Sequence, residues 1–127
     1  MKTVALLTAV LLCFSIRPSF AAYLTGNDLL HACESRRAAS VKSCMSYVAG
    51  VIDYQFMLQS LGTEPPTDFC LPRHFPLDKA TVVVAVYLQK HPSLQPFIAA
   101  PTVTMALAEA YPCAGSAPRK KYRHHGR

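Results

Sequence analysis

The sequence predicts an all-α fold, a small disulfide-stapled bundle of about four helices that form two helical hairpins. Apolar residues recur at three- and four-residue steps over most of the chain after residue 22, as on one face of a helix. A segment dense in proline, residues 63–77, divides these helical patterns into two pairs. Four cysteines lie near the ends of the predicted helices. The length suits one domain.

The first 21 residues have the form of a cleavable signal peptide. A basic start precedes an apolar stretch at residues 3–16, and Ser19 and Ala21 are small residues at the positions that a signal peptidase reads. The stretch is too short to cross a hydrocarbon core of about 30 Å. Bulky Leu12 before Cys13 disfavours a lipoprotein signal. We expect cleavage after Ala21, no transmembrane segment, and export of the remaining chain to the periplasm.

The first hairpin begins with a capping motif. Thr25 to Asp28 has the Ser/Thr-x-x-Asp/Glu pattern that starts helices, which predicts a first helix over residues 27–35. After a turn near residues 38 and 39, a long second helix runs to Gly62. Gly50 lies opposite its apolar stripe and indicates either close approach of another element or a tolerated glycine. The stripe consists of Val41, Cys44, Met45, Val48, Ile52 and Phe56.

The second hairpin follows the proline-rich segment, which we expect to form a braced surface loop around Cys70. The next stretch is ambiguous, because its valine run favours a strand while Asp78 as an N-cap and the later Pro92 favour a helix. We choose a helix and expect it to be central and buried, since it is apolar nearly all round. A fourth helix starts around Pro101 and stops at Pro112. Its stripe is Val103, Ala106, Leu107, Ala110 and Tyr111.

Four cysteines remain after removal of the leader, and in an exported chain an even number indicates two disulfides. No Cys-x-x-Cys pair supports zinc binding or thiol redox chemistry, so we expect neither metal nor cofactor. Antiparallel hairpins favour Cys33–Cys44 and Cys70–Cys113, because each pair is about equidistant from its turn. The pairing Cys44–Cys70 with Cys33–Cys113 also stays open.

The chain offers little for catalysis. His31, His74 and His91 are isolated in the sequence, and no paired carboxylates or phosphate-binding loop occurs, so we expect a protein that is not an enzyme. The composition of residues 114–127 predicts a disordered basic tail. This tail is either a solvated chain end or a segment that binds anionic polymers. Nucleic acid is disfavoured because there is no aromatic platform for stacking bases.

The ordered segments GNDLLHAC, CMSYVAGVIDY, FCLP, YLQKHP and ALAEAYPC resemble the Rap/Tai family, the immunity proteins of type VI secretion amidase effectors. The resemblance covers residues 26–113. It departs from the family at Lys79, where a glutamine is expected, and in the added basic tail. Members are small, helical, periplasmic and often dimeric, and they occlude the active site of a peptidoglycan amidase. The resemblance thus implies an amidase effector as the protein partner, and a homodimer.

If a braced segment plugs the amidase cleft, the best candidate is the proline-rich loop within the helical domain of residues 22–113. Its exposed polar contacts would be Glu64, Asp68, Arg73 and His74, although a plain connector held by Cys70 fits as well. Two other functions are consistent with the sequence. One is a periplasmic chaperone for acid stress, and the other is an envelope-binding module driven by the tail.

Overall fold

The computed structural model describes residues 23–63, 65 and 67–114. This part of the chain contains helices α1 (Gly26–Glu34), α2 (Ala38–Ser60), α3 (Leu77–Lys90) and α4 (Ala99–Ala110), with a short 3-10 helix at Pro92–Leu94. It contains no strand, only an isolated bridge between two single residues. The prediction of an all-α bundle of two hairpins is confirmed. The expected signal peptide and basic tail lie outside the described residues.

The capping motif starts α1 as predicted. The Asp28 N–H donates to the Thr25 hydroxyl at 3.2 Å, and the Thr25 N–H donates to the Asp28 carboxylate at 3.1 Å. Two backbone donors that have no partner inside the helix are satisfied in this way.

The start of α1 is also bonded to the second hairpin. The N–H groups of Gly26 and Asn27 donate to the carbonyl oxygens of Phe97 and Gln95, each at 2.8 Å. The first turn of α1 therefore completes its hydrogen bonding on the segment that precedes α4. These bonds couple the two hairpins through backbone atoms alone.

The core lies where the four helices meet. Thirteen apolar residues form it, all from helices except Phe69, which comes from the proline-rich segment and has 0% of its surface exposed. The core therefore depends on an irregular part of the chain as well as on the helices. Its helical members are Leu29, Leu30, Cys44, Val48, Ile52, Ala80, Val84, Leu88, Ala99, Val103, Ala106 and Leu107.

Helix α3 contacts α1, α2 and α4, as each of the four helices contacts the other three, and the prediction that its apolar surface is buried is wrong for one face. Only its Ala80, Val84 and Leu88 face is buried, while Val82 is 61% and Val86 40% exposed. The three buried residues recur every four positions and form one stripe. A bundle of this size has no further described element to cover the opposite side.

Helix α2 buries Cys44, Val48 and Ile52 of its predicted stripe, whereas Phe56 at the end of the stripe is partly exposed. Gln55 is buried instead, with 3% of its surface exposed, because the proline-rich segment crosses the helix there. No atom lies within 4 Å of where a Gly50 Cβ would stand, so no close approach requires this glycine.

Two disulfides close the hairpins. Cys33 and Cys44 join α1 to α2 with Cα atoms 5.1 Å apart, and Cys70 and Cys113 join the proline-rich segment to the chain after α4 at 4.8 Å. These are the pairs that the hairpin arrangement favoured, and the alternative pairing is excluded. In the chain-entropy model, loops of these lengths stabilise the fold by roughly 3 and 4 kcal/mol.

Two glycine substitutions with opposite effects test the packing. A Cβ on Gly26 would lie 2.9 Å from Leu88 Cδ2 and 3.0 Å from Gln95 Cα, whereas one on Gly50 meets open space. We expect Gly26→Ala to lower the free energy of unfolding by about 1–3 kcal/mol through overpacking. Gly50→Ala should raise it by up to about 1 kcal/mol through helix propensity. Urea denaturation measures both; equal effects of the two variants would contradict the assigned contacts.

The capping motif predicts a dependence on pH. Hydrogen bonds from the Thr25 hydroxyl and backbone N–H lower the pKa of Asp28 below its ordinary value of 3.8. Because the folded-state pKa is lowered, the unfolded chain binds the proton more tightly, and this stabilisation is complete above the ordinary pKa and is lost as pH falls through the lowered one. We expect Asp28→Asn to lower the melting temperature at neutral pH, with the difference shrinking in acid. Thermal melts from about pH 2 to about pH 7 check this; a difference that is constant across pH would contradict it.

Candidate functional site

The segment between α2 and α3, residues 61–76, is the proline-rich loop that the sequence singled out. It has no regular secondary structure at its described positions. Among its predicted contact residues, Glu64 lies outside the described residues. The other three occupy two different environments, described in turn below.

Asp68 anchors the loop to α2. Its Oδ1 accepts hydrogen bonds from Gln55 Nε2 at 3.1 Å, from Gln59 Nε2 at 2.6 Å and from the Phe69 N–H at 2.9 Å. Gln55 Nε2 also donates to the Thr67 carbonyl at 2.9 Å. Asp68 was predicted as an exposed contact for a partner; the residue is half-buried, and its Oδ1 is bonded within the chain. It positions the loop.

A second anchor joins the loop to the end of α4. The Cys70 N–H donates to the Tyr111 carbonyl at 2.9 Å, and Cys70 is bonded covalently to Cys113. The Phe75 ring also meets the Tyr111 ring edge-on, with centroids 4.8 Å apart. The loop is thus held on α2 before Cys70 and on the chain after α4 from Cys70 onward.

Between Cys70 and α3 the chain makes a tight turn, which we call the Arg73–His74 turn. The Phe75 N–H donates to the Pro72 carbonyl at 3.2 Å, with Arg73 and His74 between them. His74 has φ of 59°, a left-handed conformation that non-glycine residues adopt at a cost of about 1–2 kcal/mol. Both Arg73 and His74 are exposed. The turn exposes a guanidinium and an imidazole on consecutive residues of a backbone that is held at both ends.

A groove of about 430 Å³ lies between α2 and the Arg73–His74 turn. Arg73 and His74 contribute to its lining, and Asp53 of α2 adds a carboxylate. The aromatic side chains of Phe56 and Phe75 also line it. A surface with both charges around apolar rings can bind a protein segment by packing and hydrogen bonding together.

The sequence did not single out Asp53 as a site residue. Its position in the sequence could have identified it. Asp53 is adjacent to Ile52 and three residues before Phe56, so helical spacing places it beside the apolar stripe. Without the path of the loop, nothing indicated that this side of α2 borders Arg73 and His74.

A second groove, of about 700 Å³, runs between α2 and the beginning of α4, and sequence reasoning missed it as well. Gly50 lies in its lining, and none of the lining residues is an acid, lysine, arginine or histidine. Burial raises the pKa of the Tyr47 hydroxyl in this lining, an effect that a hydrogen bond with the Ala100 backbone opposes. Gly50, a glycine in the middle of a helix, was the one feature of the sequence that could have indicated this groove.

The remaining ionisable groups do not gather into a further site. In the described ranges, no three His, Cys, Asp or Glu side chains are grouped as a metal site requires. His91 Nδ1 lies 2.8 Å from the Tyr87 carbonyl, and its ring stacks on Tyr87 with centroids 4.1 Å apart. Burial, and secondarily the charge of Glu109, raise the pKa of Tyr87.

None of the helices in the described part of the chain combines the length and apolarity needed to cross a membrane.

The family model for Rap1a immunity proteins matches residues 25–113. The chain belongs to the Rap1a immunity protein family. The match contains all four helices and both disulfides, so the resemblance stated from the ordered segments is confirmed. The comparisons found no match among curated proteins and none among solved structures. Membership makes this an immunity-type protein, directed against a secreted effector.

The conformation of His74 can be tested through stability. We expect His74→Gly to raise the free energy of unfolding by up to about 1 kcal/mol, because relief of the left-handed strain outweighs the added entropy of the unfolded chain. His74→Val should lower it by about 1 kcal/mol or more, since a β-branched residue disfavours this conformation. Urea denaturation measures both variants. Equal stability of the Gly and Val variants would contradict the assigned backbone.

Proposed function

We propose that this Rap1a-family protein is a periplasmic immunity protein that inhibits a type VI secretion peptidoglycan amidase by occluding its active site. The observation that carries this proposal is the Arg73–His74 turn, which is exposed, strained and braced from both sides. A short turn that projects two polar side chains next to an aromatic groove has a suitable shape for entering an enzyme cleft. The amidase as target comes from the resemblance to the Rap/Tai proteins.

Binding would benefit from the way the loop is already held. Ordering a free loop on association costs affinity for every residue that is immobilised, and a loop fixed before binding avoids most of that cost. Here Asp68 fixes one side of the loop, and the disulfide of Cys70 fixes the other. The strain at His74 then lowers the stability of the free protein and does not weaken binding to the partner.

The side chains of the turn define the chemistry of recognition. The Arg73 guanidinium has five donors in a planar fork, which suits carboxylates and backbone carbonyls that line a cleft. Phe56 and Phe75 offer apolar surface next to these donors. Inhibition would be stoichiometric and would need no chemical step by this protein, in keeping with a family of immunity proteins. The two disulfides fit an oxidising compartment such as the periplasm.

The decisive test is a charge reversal at the turn with a matched control. We expect the oxidised chain to capture an amidase effector encoded beside it and to stop peptidoglycan hydrolysis. Arg73→Glu should weaken capture about 30-fold to 1,000-fold, the range typical of an arginine at the centre of an interface. Arg36→Glu makes the same charge change at an exposed position between α1 and α2, and it should bind like the original protein. Calorimetric titration and a hydrolysis assay measure both.

Other results would redirect the proposal. Equal losses from Arg73→Glu and Arg36→Glu would show that overall charge matters and that the turn does not. Absence of capture would refute amidase inhibition, and protection of client proteins from aggregation in acid would then favour the chaperone. If removal of residues 114–127 alone abolished activity, the function would belong to the basic tail.

A further inference from the structure

We propose that the Cys70–Cys113 disulfide is a thiol–disulfide exchange site, at which reduction by a dithiol releases the Arg73–His74 turn while the helical bundle stays folded. The site is distinct from the Cys33–Cys44 disulfide in both exposure and position. The claim that release switches off inhibition rests on the proposed function. The exchange reaction and the release of the turn do not.

The two disulfides differ in their access to solvent. Cys70 is exposed and Cys113 half-buried, whereas Cys33 is half-buried and Cys44, with 1% of its surface exposed, belongs to the core. Exchange requires a thiolate to reach one sulfur of the disulfide, so an exposed disulfide reacts before a buried one. A reductant in solution can approach Cys70 directly, whereas the more accessible cysteine of the other disulfide, Cys33, is itself half-buried and packs against the core.

The exposed disulfide also lies where its loss affects the turn. The downstream contacts of the turn run through Tyr111, whose carbonyl accepts from the Cys70 N–H and whose ring meets Phe75. The Tyr111 N–H donates to the Leu107 carbonyl at 2.7 Å and caps α4, and Cys113 follows two residues later. The disulfide is the covalent restraint that keeps the stretch against the loop.

The other anchor would survive reduction. Asp68 holds the loop on α2 through Gln55 and Gln59, and Phe69 stays in the core. Cutting the Cys70 bond therefore removes the covalent anchor of residues 70–75 and leaves the upstream half of the loop in place. The segment then keeps only non-covalent contacts, those with Tyr111 and the packing of Leu71 and Phe75 against the core. Cys33–Cys44, in contrast, joins two helices that make no part of the turn.

The reaction is a two-electron exchange that balances without any further reactant. A thiolate of the dithiol attacks the Cys70 sulfur, the bond to Cys113 breaks, and Cys113 leaves as a thiolate that takes up a proton. The second thiol of the reductant, after losing its proton, displaces Cys70 from the mixed disulfide. Cys70 and Cys113 end as two thiols, and the dithiol ends as a disulfide.

A native-state reduction series tests the proposal without any binding partner. The oxidised full-length protein is treated with rising concentrations of dithiothreitol, quenched with iodoacetamide and mapped by mass spectrometry. We expect Cys70 and Cys113 to be labelled at least about tenfold faster than Cys33 and Cys44, because rate follows access. Over the same range the Cys70 amide should lose protection from hydrogen exchange while circular dichroism shows unchanged helix content.

Paired variants provide the control. The variant Cys70→Ser with Cys113→Ser should show fast exchange of the amides at positions 70 and 75 before any reductant is added, and Cys33→Ser with Cys44→Ser should not. If the first variant fails to fold, the graded reduction of the unaltered protein still decides the question. Simultaneous reduction of both disulfides, or reduction of Cys70–Cys113 with no change in exchange at the turn, would overturn the proposal.

A separate inhibition assay tests whether release of the turn affects immunity. Protein reduced only at Cys70 and Cys113 should inhibit the captured amidase at least about tenfold less well than oxidised protein, since a loop that must be ordered on binding loses affinity. Equal inhibition would refute the switch, although the exchange site would stand. Absence of any captured amidase would refute the proposed function and would leave the labelling and exchange results unaffected.

Discussion

The burial of Phe69 is the constraint on which the rest of the structure depends. This side chain belongs to no helix, yet it is fully buried, and burying a phenylalanine contributes about 1.5–3 kcal/mol. The backbone N–H and carbonyl of Phe69 then need hydrogen-bond partners nearby. The N–H donates to Asp68 Oδ1 at 2.9 Å, and the carbonyl accepts from Gln59 Nε2 at 3.4 Å. An irregular segment is thereby made part of the core, which determines where the chain on either side of it can go.

The path of the Arg73–His74 turn follows from this constraint. Once Phe69 is buried, Cys70 is adjacent to the end of α4, and the chain has only a few residues in which to reach α3. The tight turn and the left-handed backbone of His74 are the result. Strain of this kind persists where the surroundings determine the conformation, and it often marks a surface used for binding. This turn is the element that we propose for recognition of the effector.

The small size of the bundle explains its other surfaces. Four helices cannot cover every apolar side chain, so Val82 and Val86 of α3 face outward, and a groove opens beside Gly50 where the helix carries no side chain. The disulfides compensate for the limited core by restricting the unfolded chain. The protein therefore keeps apolar surface exposed and still holds its fold.

The local features of the fold could be predicted from the amino-acid sequence. Helical periodicity placed the four helices, the pattern from Thr25 to Asp28 placed the first helix start, and hairpin symmetry favoured the two disulfide pairs. These follow from interactions between residues close along the chain or from loop geometry. Three features emerged only from the folded arrangement: Asp68 is an anchor, Asp53 borders the turn, and one face of α3 stays exposed. The first two depend on how the proline-rich loop crosses α2, and a segment without periodicity carries no signal for the path it takes. The third depends on how many helices are available to cover α3.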